Sequence, residues 1–280
     1  MARVCVDVPL PHLDRPFDYL VPAGAAEAAR PGVRVRVRFA GQLVDGWLLE
    51  RVAESDHRGA LAYLERVVSP EPVLDPEVLA LARAVAARYA GSLADVLRLA
   101  VPPRHARVEA EPAPGPTSPI MIPTPGADHA PGVIAGTGQA RDGQGADGWG
   151  AYPAGPAMLR ALTDGRAPRA VWTATPGEDW PARLAEAAAA TLRGGRGALL
   201  LVADARDLER LDAALADRLG PGRHVALSAA LGPAERYRRF LRASRGHVAV
   251  VAGTRAAMLA PVSRLGLVAI WDDGDDLYAE

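Results

Sequence analysis

Lysine is absent from this chain, and all 32 of its basic residues are arginine. Heavy use of Ala, Arg, Gly and Pro goes with that bias and points to a G+C-rich coding sequence, so the arginines by themselves define no function. The absence has one firm consequence: no lysine can serve in a phosphate-binding loop, where an ammonium would neutralise the β- and γ-phosphates of a nucleotide. Cysteine is nearly absent too. The single Cys5 excludes an intramolecular disulfide and any cysteine-built zinc cluster within the chain. It stands among Val4, Val6 and Val8 and reads as a small core residue on a strand rather than a nucleophile. The six histidines are scattered, without the HxH or HxxxH spacing of metal ligands. Long apolar runs are missing, so no segment reads as a membrane span. The N-terminus enters strand-like alternation at once, without the apolar stretch of a secretory signal. A cytoplasmic location is the expectation.

What remains is a composition of 49% hydrophobic and 23% charged residues with mean hydropathy near zero, +0.02. That is the profile of a globular protein, and 280 residues suggest about two domains. A net charge of −1 argues against wholesale coating of nucleic acid, but a balanced total can hide a local basic face.

The stretch from Glu109 to Ala154 is rich in Pro and Gly and lacks a sustained apolar period, so it reads as a flexible tether. The expected organisation is a first domain over residues 1–107, a Pro/Gly-rich linker over 108–154 and a second domain over 155–280. In the first, short alternating segments (Arg3–Val8, Arg34–Phe39, Trp47–Val52) predict a small β unit. Asp75 followed by Pro76 opens a helix whose apolar face repeats at Val78, Leu79, Ala82, Val85, Ala86 and Tyr89. Ser92 with Asp95 three residues on starts a second helix, which Pro102-Pro103 ends. The second domain alternates strands, expected at 170–173, 198–203, 224–227, 248–252 and 265–270, with helical patterns. The clearest of these carries Leu208, Leu211, Leu215 and Leu219. Such order predicts a mostly parallel sheet covered by helices, giving an α/β chain overall.

Arg34, Arg36 and Arg38 alternate with Val35, Val37 and Phe39. One strand face is therefore apolar and the other carries three guanidinium groups about 7 Å apart, a spacing that approximates successive phosphates of a single strand. A solvated sheet face is the plainer alternative.

Several ordered segments carry a resemblance. Val6 to Pro22 (VDVPLPHLDRPFDYLVP), Pro31 to Phe39, Ser69 to Val73 and Ala94 to Leu97 resemble the N-terminal DNA-binding domain of primosomal protein N-prime, the PriA replication-restart family, over about the first 105 residues. The resemblance implies recognition of the 3′ end of a nascent strand at a stalled fork, with Phe17 and Asp18 as the pocket pair. An aromatic face can stack a terminal base, and a carboxylate can accept from a free 3′ hydroxyl while repelling a phosphate. Core packing is the alternative role of Phe17. The chain departs from the family at Arg38-Phe39-Ala40, where Pro-Phe-Gly is common, and at 61–63, where the family's pocket lysine has no counterpart. Arg58 or Arg66 could supply that charge.

The second half resembles the first RecA-like lobe of the same family's helicase. Thr254 and Arg255, in Gly253–Met258, match its DNA-touching Gly-Thr-Arg element. Leu265 to Asp276 stands at the Walker B box, with Trp271 at the Mg²⁺-linked aspartate position and Gly274 at the histidine position. At the phosphate loop the sequence is Ala174-Thr175-Pro176-Gly177-Glu178-Asp179-Trp180-Pro181, with Trp180-Pro181 where Lys-Thr belongs. Gly177, Glu178, Asp179, Asp272 and Asp273 thus mark a degenerate nucleotide site. The two acids at the start of the next helix favour that helix and repel a triphosphate. Asp272, Asp273, Asp275 and Asp276 read as a relic or a solvated turn, with a hard-cation site as the alternative. The chain stops at Glu280, short of the family's zinc-binding cysteines and second lobe. The implied function is DNA binding in replication restart without ATP hydrolysis, alongside other primosome proteins. No catalytic residue and no ATP, Mg or Zn cofactor is expected, and no membrane partner. An ATP-dependent helicase and a non-catalytic assembly scaffold are the alternatives.

Overall fold

The computed structural model describes residues 1–89, 91–112 and 148–279. Most of the expected linker, 113–147, lies outside the described residues. At its near edge a short helix runs through Ala106–Glu109. At its far edge Gly148–Ala151 form a 3₁₀ turn with Trp149 buried.

The chain is mixed α/β, with an antiparallel sheet in the N-terminal part and a parallel sheet in the C-terminal part. It forms two compact units. The first comprises residues 1–111, 227–245 and 256–261, and the second 112–226, 246–255 and 262–280.

In the first unit β1 (Ala2–Val6), β2 (Phe17–Tyr19), β3 (Val33–Phe39), β4 (Gln42–Arg51) and β5 (Leu64–Pro72) pair antiparallel in the order β2-β1-β4-β3-β5. The chain just past β2 and just before β5 also meets in an isolated bridge: the backbone N–H of Leu20 donates to Ala62 O at 2.8 Å and that of Leu64 to Leu20 O at 2.9 Å. Val33, Val35 and Val37 lie fully buried with Val4, Val6 and Leu48 on one face, where each is worth roughly 1.5–3 kcal/mol of burial. Gly32 sets the entry to β3. Its φ of +89° suits a residue without Cβ, and a Cβ there would lie 2.5 Å from Leu74 O.

The opposite sheet face carries Cys5, Trp47 and Leu49, packed on α1 (Pro76–Tyr89) and α2 (Leu93–Ala100). The expected caps are present. Asp75 Oδ1 accepts from Glu77 N at 2.8 Å, and Ser92 Oγ accepts from Asp95 N at 3.2 Å. α3 (Ala106–Glu109) follows. The core is completed by α7 (Pro233–Ser244), whose Tyr237, Phe240 and Leu241 are buried against it together with Leu259. Tyr237 Oη donates to Glu109 Oε2 at 3.1 Å. Arg245 forks onto both oxygens of Glu71 at 3.0 and 2.9 Å, and Arg238 binds Glu111 at 2.8 and 2.7 Å. Chain order and packing part company here: α7 lies in sequence between two strands of the second sheet, His224–Leu227 and Val250–Gly253, yet its apolar stripe belongs to the core of the first unit.

The second unit has the sheet order β7-β8-β6-β9: β7 (His224–Leu227), β8 (Val250–Gly253), β6 (Gly197–Leu201) and β9 (Leu265–Ile270). β8 and β9 both run parallel to β6. Ala198, Leu200, Val250 and Ala252 pack under α5 (Trp180–Arg193) and α6 (Ala205–Leu219), which buries Leu208, Leu211 and Leu215 as their spacing predicts. α4 (Gly155–Thr163) lies against α5. One strand expectation is corrected. Residues 170–173 adopt no strand; Val171 is fully exposed, while Trp172 turns into an aromatic cluster. Pro168 and Pro176 bracket the segment, and the Trp172 ring packs on Trp149, Tyr152 and Trp271 instead. Among the described residues no helix is long and apolar enough to cross a membrane.

Candidate functional site

A cavity of about 560 Å³ opens at the rim where β2 and the start of β5 meet, bounded by Arg3, Arg15, Phe17, Asp18, Arg38 and His57 among others. That size suits a small ligand or one end of a polymer. Antiparallel register places Arg3 on β1 directly across from Asp18 on β2. Arg3 Nε donates to Asp18 Oδ1 at 3.0 Å and Ser55 Oγ to Asp18 Oδ2 at 2.6 Å. Burial pushes the Asp18 carboxyl upward, but hydrogen bonds from Arg3 and Ser55 and the charge of Arg3 outweigh it and hold the group below its ordinary value. Each carboxylate oxygen carries two lone pairs, so both retain room for one more donor.

Phe17 is half-buried. It meets the Phe39 ring edge-on, with centroids 4.8 Å apart at 65°, and the Arg15 guanidinium lies 5.2 Å from its centroid. The ring therefore contributes to the core and to the cavity wall at once. Arg38 is 63% exposed, lines the cavity and pairs with Glu65 at 2.8 Å. Arg36 pairs with Asp45 at 2.6 Å and stands across from Arg66 on β5. Arg34 is placed differently. Its guanidinium donates to Pro102 O at 2.5 Å and Val101 O at 3.5 Å, lies 5.9 Å from the Trp47 ring, and burial lowers its pKa. It thereby caps the C-terminal end of α2.

Phe17, Asp18 and Arg38 thus come together, Arg36 lies on the neighbouring sheet surface and Arg34 is held under α2. Sequence reasoning missed Arg3, Arg15, Ser55 and His57. Arg15 was within reach as the cation two residues before Phe17, whereas Arg3 and Ser55 reach Asp18 only through strand pairing and a loop. The cavity's arginines are Arg3, Arg15 and Arg38; Arg58 and Arg66 are not part of its wall.

In the second unit Thr254 and Arg255 follow the C-terminal end of β8, and Asp272 and Asp273 follow that of β9, the edge at which parallel sheets present ligand sites. The loop at 174–181 is tied down by Tyr152, Arg183 and its own Asp179. Tyr152 Oη donates to Glu178 Oε2 at 2.8 Å and accepts from Thr175 N at 3.2 Å. Arg183 Nε lies 3.4 Å from Glu178 Oε1. Asp179 Oδ1 accepts from Ala182 N at 3.2 Å and caps α5. Gly177 takes φ +80° in the turn. Trp180, at the start of α5, stacks on Trp271 with centroids 4.4 Å apart and planes 9° from parallel. Asp272 and Asp273 are solvent-exposed, and Asp272 adopts a left-handed φ of 52°.

The first unit thus presents a five-stranded sheet with a mixed-charge pocket at one end. Residues 3–102 match the family model described as the 3′DNA-binding domain (3′BD), so this part of the chain is such a domain. Over 271 residues, 97% of this chain, it is 54% identical to the "Probable replication restart protein PriA" of Mycobacterium tuberculosis (strain CDC 1551 / Oshkosh). It is 52% identical over the same share to the protein of that name from Mycobacterium leprae (strain TN). The chain belongs to the PriA replication-restart family. It spans 38% and 39% of the length of these two relatives.

Proposed function

We propose that this chain binds free 3′ ends of DNA at stalled replication forks through the cavity around Phe17 and Asp18, as a replication-restart protein. The observation that carries this reading is the pocket itself: an aromatic ring, an ionised carboxylate with spare acceptor capacity and three arginines, set within the segment that matches the 3′DNA-binding domain. Competition binding with strands that differ only in a 3′ hydroxyl or a 3′ phosphate tests it, the hydroxyl strand binding more tightly.

The sheet surface beside the pocket holds the strand by its phosphates. Arg36 and Arg38 are partly exposed, and their ion pairs with Asp45 and Glu65 exchange readily for phosphate because exposed pairs are worth at most about 1 kcal/mol. Replacing either by Ala lowers the slope of log K against log salt by about 0.7 on single strands. Arg34→Ala leaves that slope unchanged and lowers thermal stability instead, because its donors serve the end of α2. Anisotropy titrations at several salt concentrations, paired with melting curves, read both effects.

The second unit is a RecA-like lobe that works without ATP. Supporting this, Glu178 and Asp179 occupy the positive end of α5, where a triphosphate would bind, and the stacked Trp180 and Trp271 fill the space between α5 and the end of β9. No lysine is available to replace them. In this reading the unit contributes Thr254 and Arg255 to DNA contact and carries no ATP, Mg or Zn. Its surface serves as a platform for other primosome proteins. Phosphate release with forked DNA present is expected to match an enzyme-free control, and a fluorescent ATP analogue at about 100 μM to show no saturable binding. DNA-stimulated turnover would restore the helicase reading.

A further inference from the structure

Three arginines border the pocket, but they are not equivalent. Arg3 is committed to Asp18 and Glu50, both at 3.0 Å, and Arg38 to Glu65. Among the described residues no carboxylate lies within ion-pairing distance of Arg15, which is exposed and rests over the Phe17 ring. The segment presenting it is fixed on both sides. On one side Asp14 Oδ1 accepts from Leu93 N at 2.8 Å, at the first turn of α2. On the other, Pro16 restricts the backbone just before β2. The neighbouring carboxylate is thus turned away to a helix end, and the pocket's remaining acids are Asp18, already bonded to Arg3 and Ser55, and the exposed Asp56. An uncompensated guanidinium on a fixed stem, steadied over an aromatic face, is a preformed seat for an anion.

We propose that Arg15 grips the phosphate linking the last two nucleotides of the bound strand, and so sets how far a 3′ end enters the pocket. This rests on the end-binding reading above. With the terminal 3′ hydroxyl at Asp18, the nearest negative charge the strand carries is that last internucleotide phosphate. Arg15, only three residues from Asp18, is the pocket arginine that has no carboxylate partner among the described residues. The ligand chemistry is a phosphodiester rather than a base, because the face of Phe17 beneath Arg15 is already occupied.

The test uses the full chain and 5′-fluorescein single strands ending in a 3′ hydroxyl, with a neutral methylphosphonate placed either at the last linkage or five linkages further in. Wild type is expected to lose about tenfold in affinity when the last linkage is neutral and little when the inner one is. Arg15→Ala loses about the same on the natural strand, with a salt slope lower by about 0.7, and becomes insensitive to the last-linkage substitution. Arg15→Lys keeps the charge, most of the slope and the sensitivity. Equal loss in the Ala and Lys variants with an unchanged slope would mean that Arg15 stacks rather than pairs, and would overturn the assignment. So would wild-type behaviour of Arg15→Ala. In both cases the preference for hydroxyl over phosphate termini persists in wild type. If wild type itself lacks that preference, the pocket reading fails as a whole, which is a separate result. Unchanged melting of both variants, expected for an exposed side chain, shows that folding does not produce the loss.

Discussion

Tyr237→Ala is expected to destabilise the first unit by about 3–5 kcal/mol, the usual cost of truncating a fully buried aromatic side chain, and to lower its melting temperature by about 10 °C. The ring has no exposed surface and lies with Phe240 and Leu241 in the core that also holds Leu74, Leu97 and Val101. Its hydroxyl donates to Glu109, which also accepts from Ser69 Oγ and from Arg104 Nε at 2.6 Å. Tyr237→Phe removes only that donor. Glu109 keeps two others, so the cost should be about 1 kcal/mol. Burial pushes the phenol pKa up, so the hydroxyl stays a donor through any practical alkaline titration. Calorimetry on the two variants separates packing from hydrogen bonding. A shift below about 2 °C for the alanine variant would show that α7 is peripheral to this core. The same geometry says which piece to assay: a fragment ending near residue 107 lacks Glu109, Glu111 and all of α7, and would leave the apolar side of α2 uncovered.

That α7 belongs with the first unit was not legible in the sequence, and the reason is physical. Apolar periodicity reports that a helix has a buried stripe, not which core receives it. Tyr237, Phe240 and Leu241 would read the same had α7 covered the parallel sheet between β7 and β8. Signals that depend on neighbouring residues alone were legible: the caps at Asp75 and Ser92, the alternation of β3 and the leucine stripe of α6 all stand as read. The reading of residues 170–173 as a strand failed for the complementary reason. Val171 and Trp172 have strand-forming side chains, but a strand also needs pairing across the sheet, and here Trp172 is drawn into contact with Trp149, Tyr152 and Trp271, residues distant in sequence.

The pocket was legible by its Phe17-Asp18 pair and only partly by its charges. Alternation put Arg34, Arg36 and Arg38 on one side of β3, and the structure agrees. Alternation cannot tell that α2 covers one end of that side, which turns Arg34 from an exposed cation into a cap on two carbonyl groups. Nor can it tell that Arg3 and Ser55, 15 and 37 residues from Asp18, converge on its carboxylate. Those partners decide the electrostatics of the site.

They also set what the second large effect should be. Replacing Asp18 by Ala removes the acceptor for a 3′ hydroxyl, a charge-assisted hydrogen bond worth about 1.5–3 kcal/mol, or roughly 10- to 100-fold in affinity. It also releases Arg3, whose Nε has lost its acceptor while Nη1 keeps Glu50. The pocket then gains the freed Nε edge of a guanidinium, balanced only by the exposed Glu50, where a carboxylate stood. Asp18→Ala is therefore expected not merely to lose the preference for a 3′ hydroxyl but to bind a 3′-phosphate strand as tightly or more tightly, while the salt-dependent contribution of Arg36 and Arg38 persists. Asp18→Asn retains an acceptor without the charge and should fall between the two. The pH dependence follows from the direction of the shift. A carboxyl held below its ordinary value contributes stability that is fully present above the unfolded value, about 3.9, and is lost as pH falls through the lower folded value. The hydroxyl preference of wild type should accordingly survive acidification to about pH 4, where an unperturbed aspartate is half protonated and its preference would already be fading. Anisotropy with matched hydroxyl and phosphate strands between pH 4 and 7 measures both. Retained hydroxyl preference in Asp18→Ala would place the terminus elsewhere, and a wild-type preference lost near pH 5 would mean that Arg3 and Ser55 do not hold this carboxylate in solution.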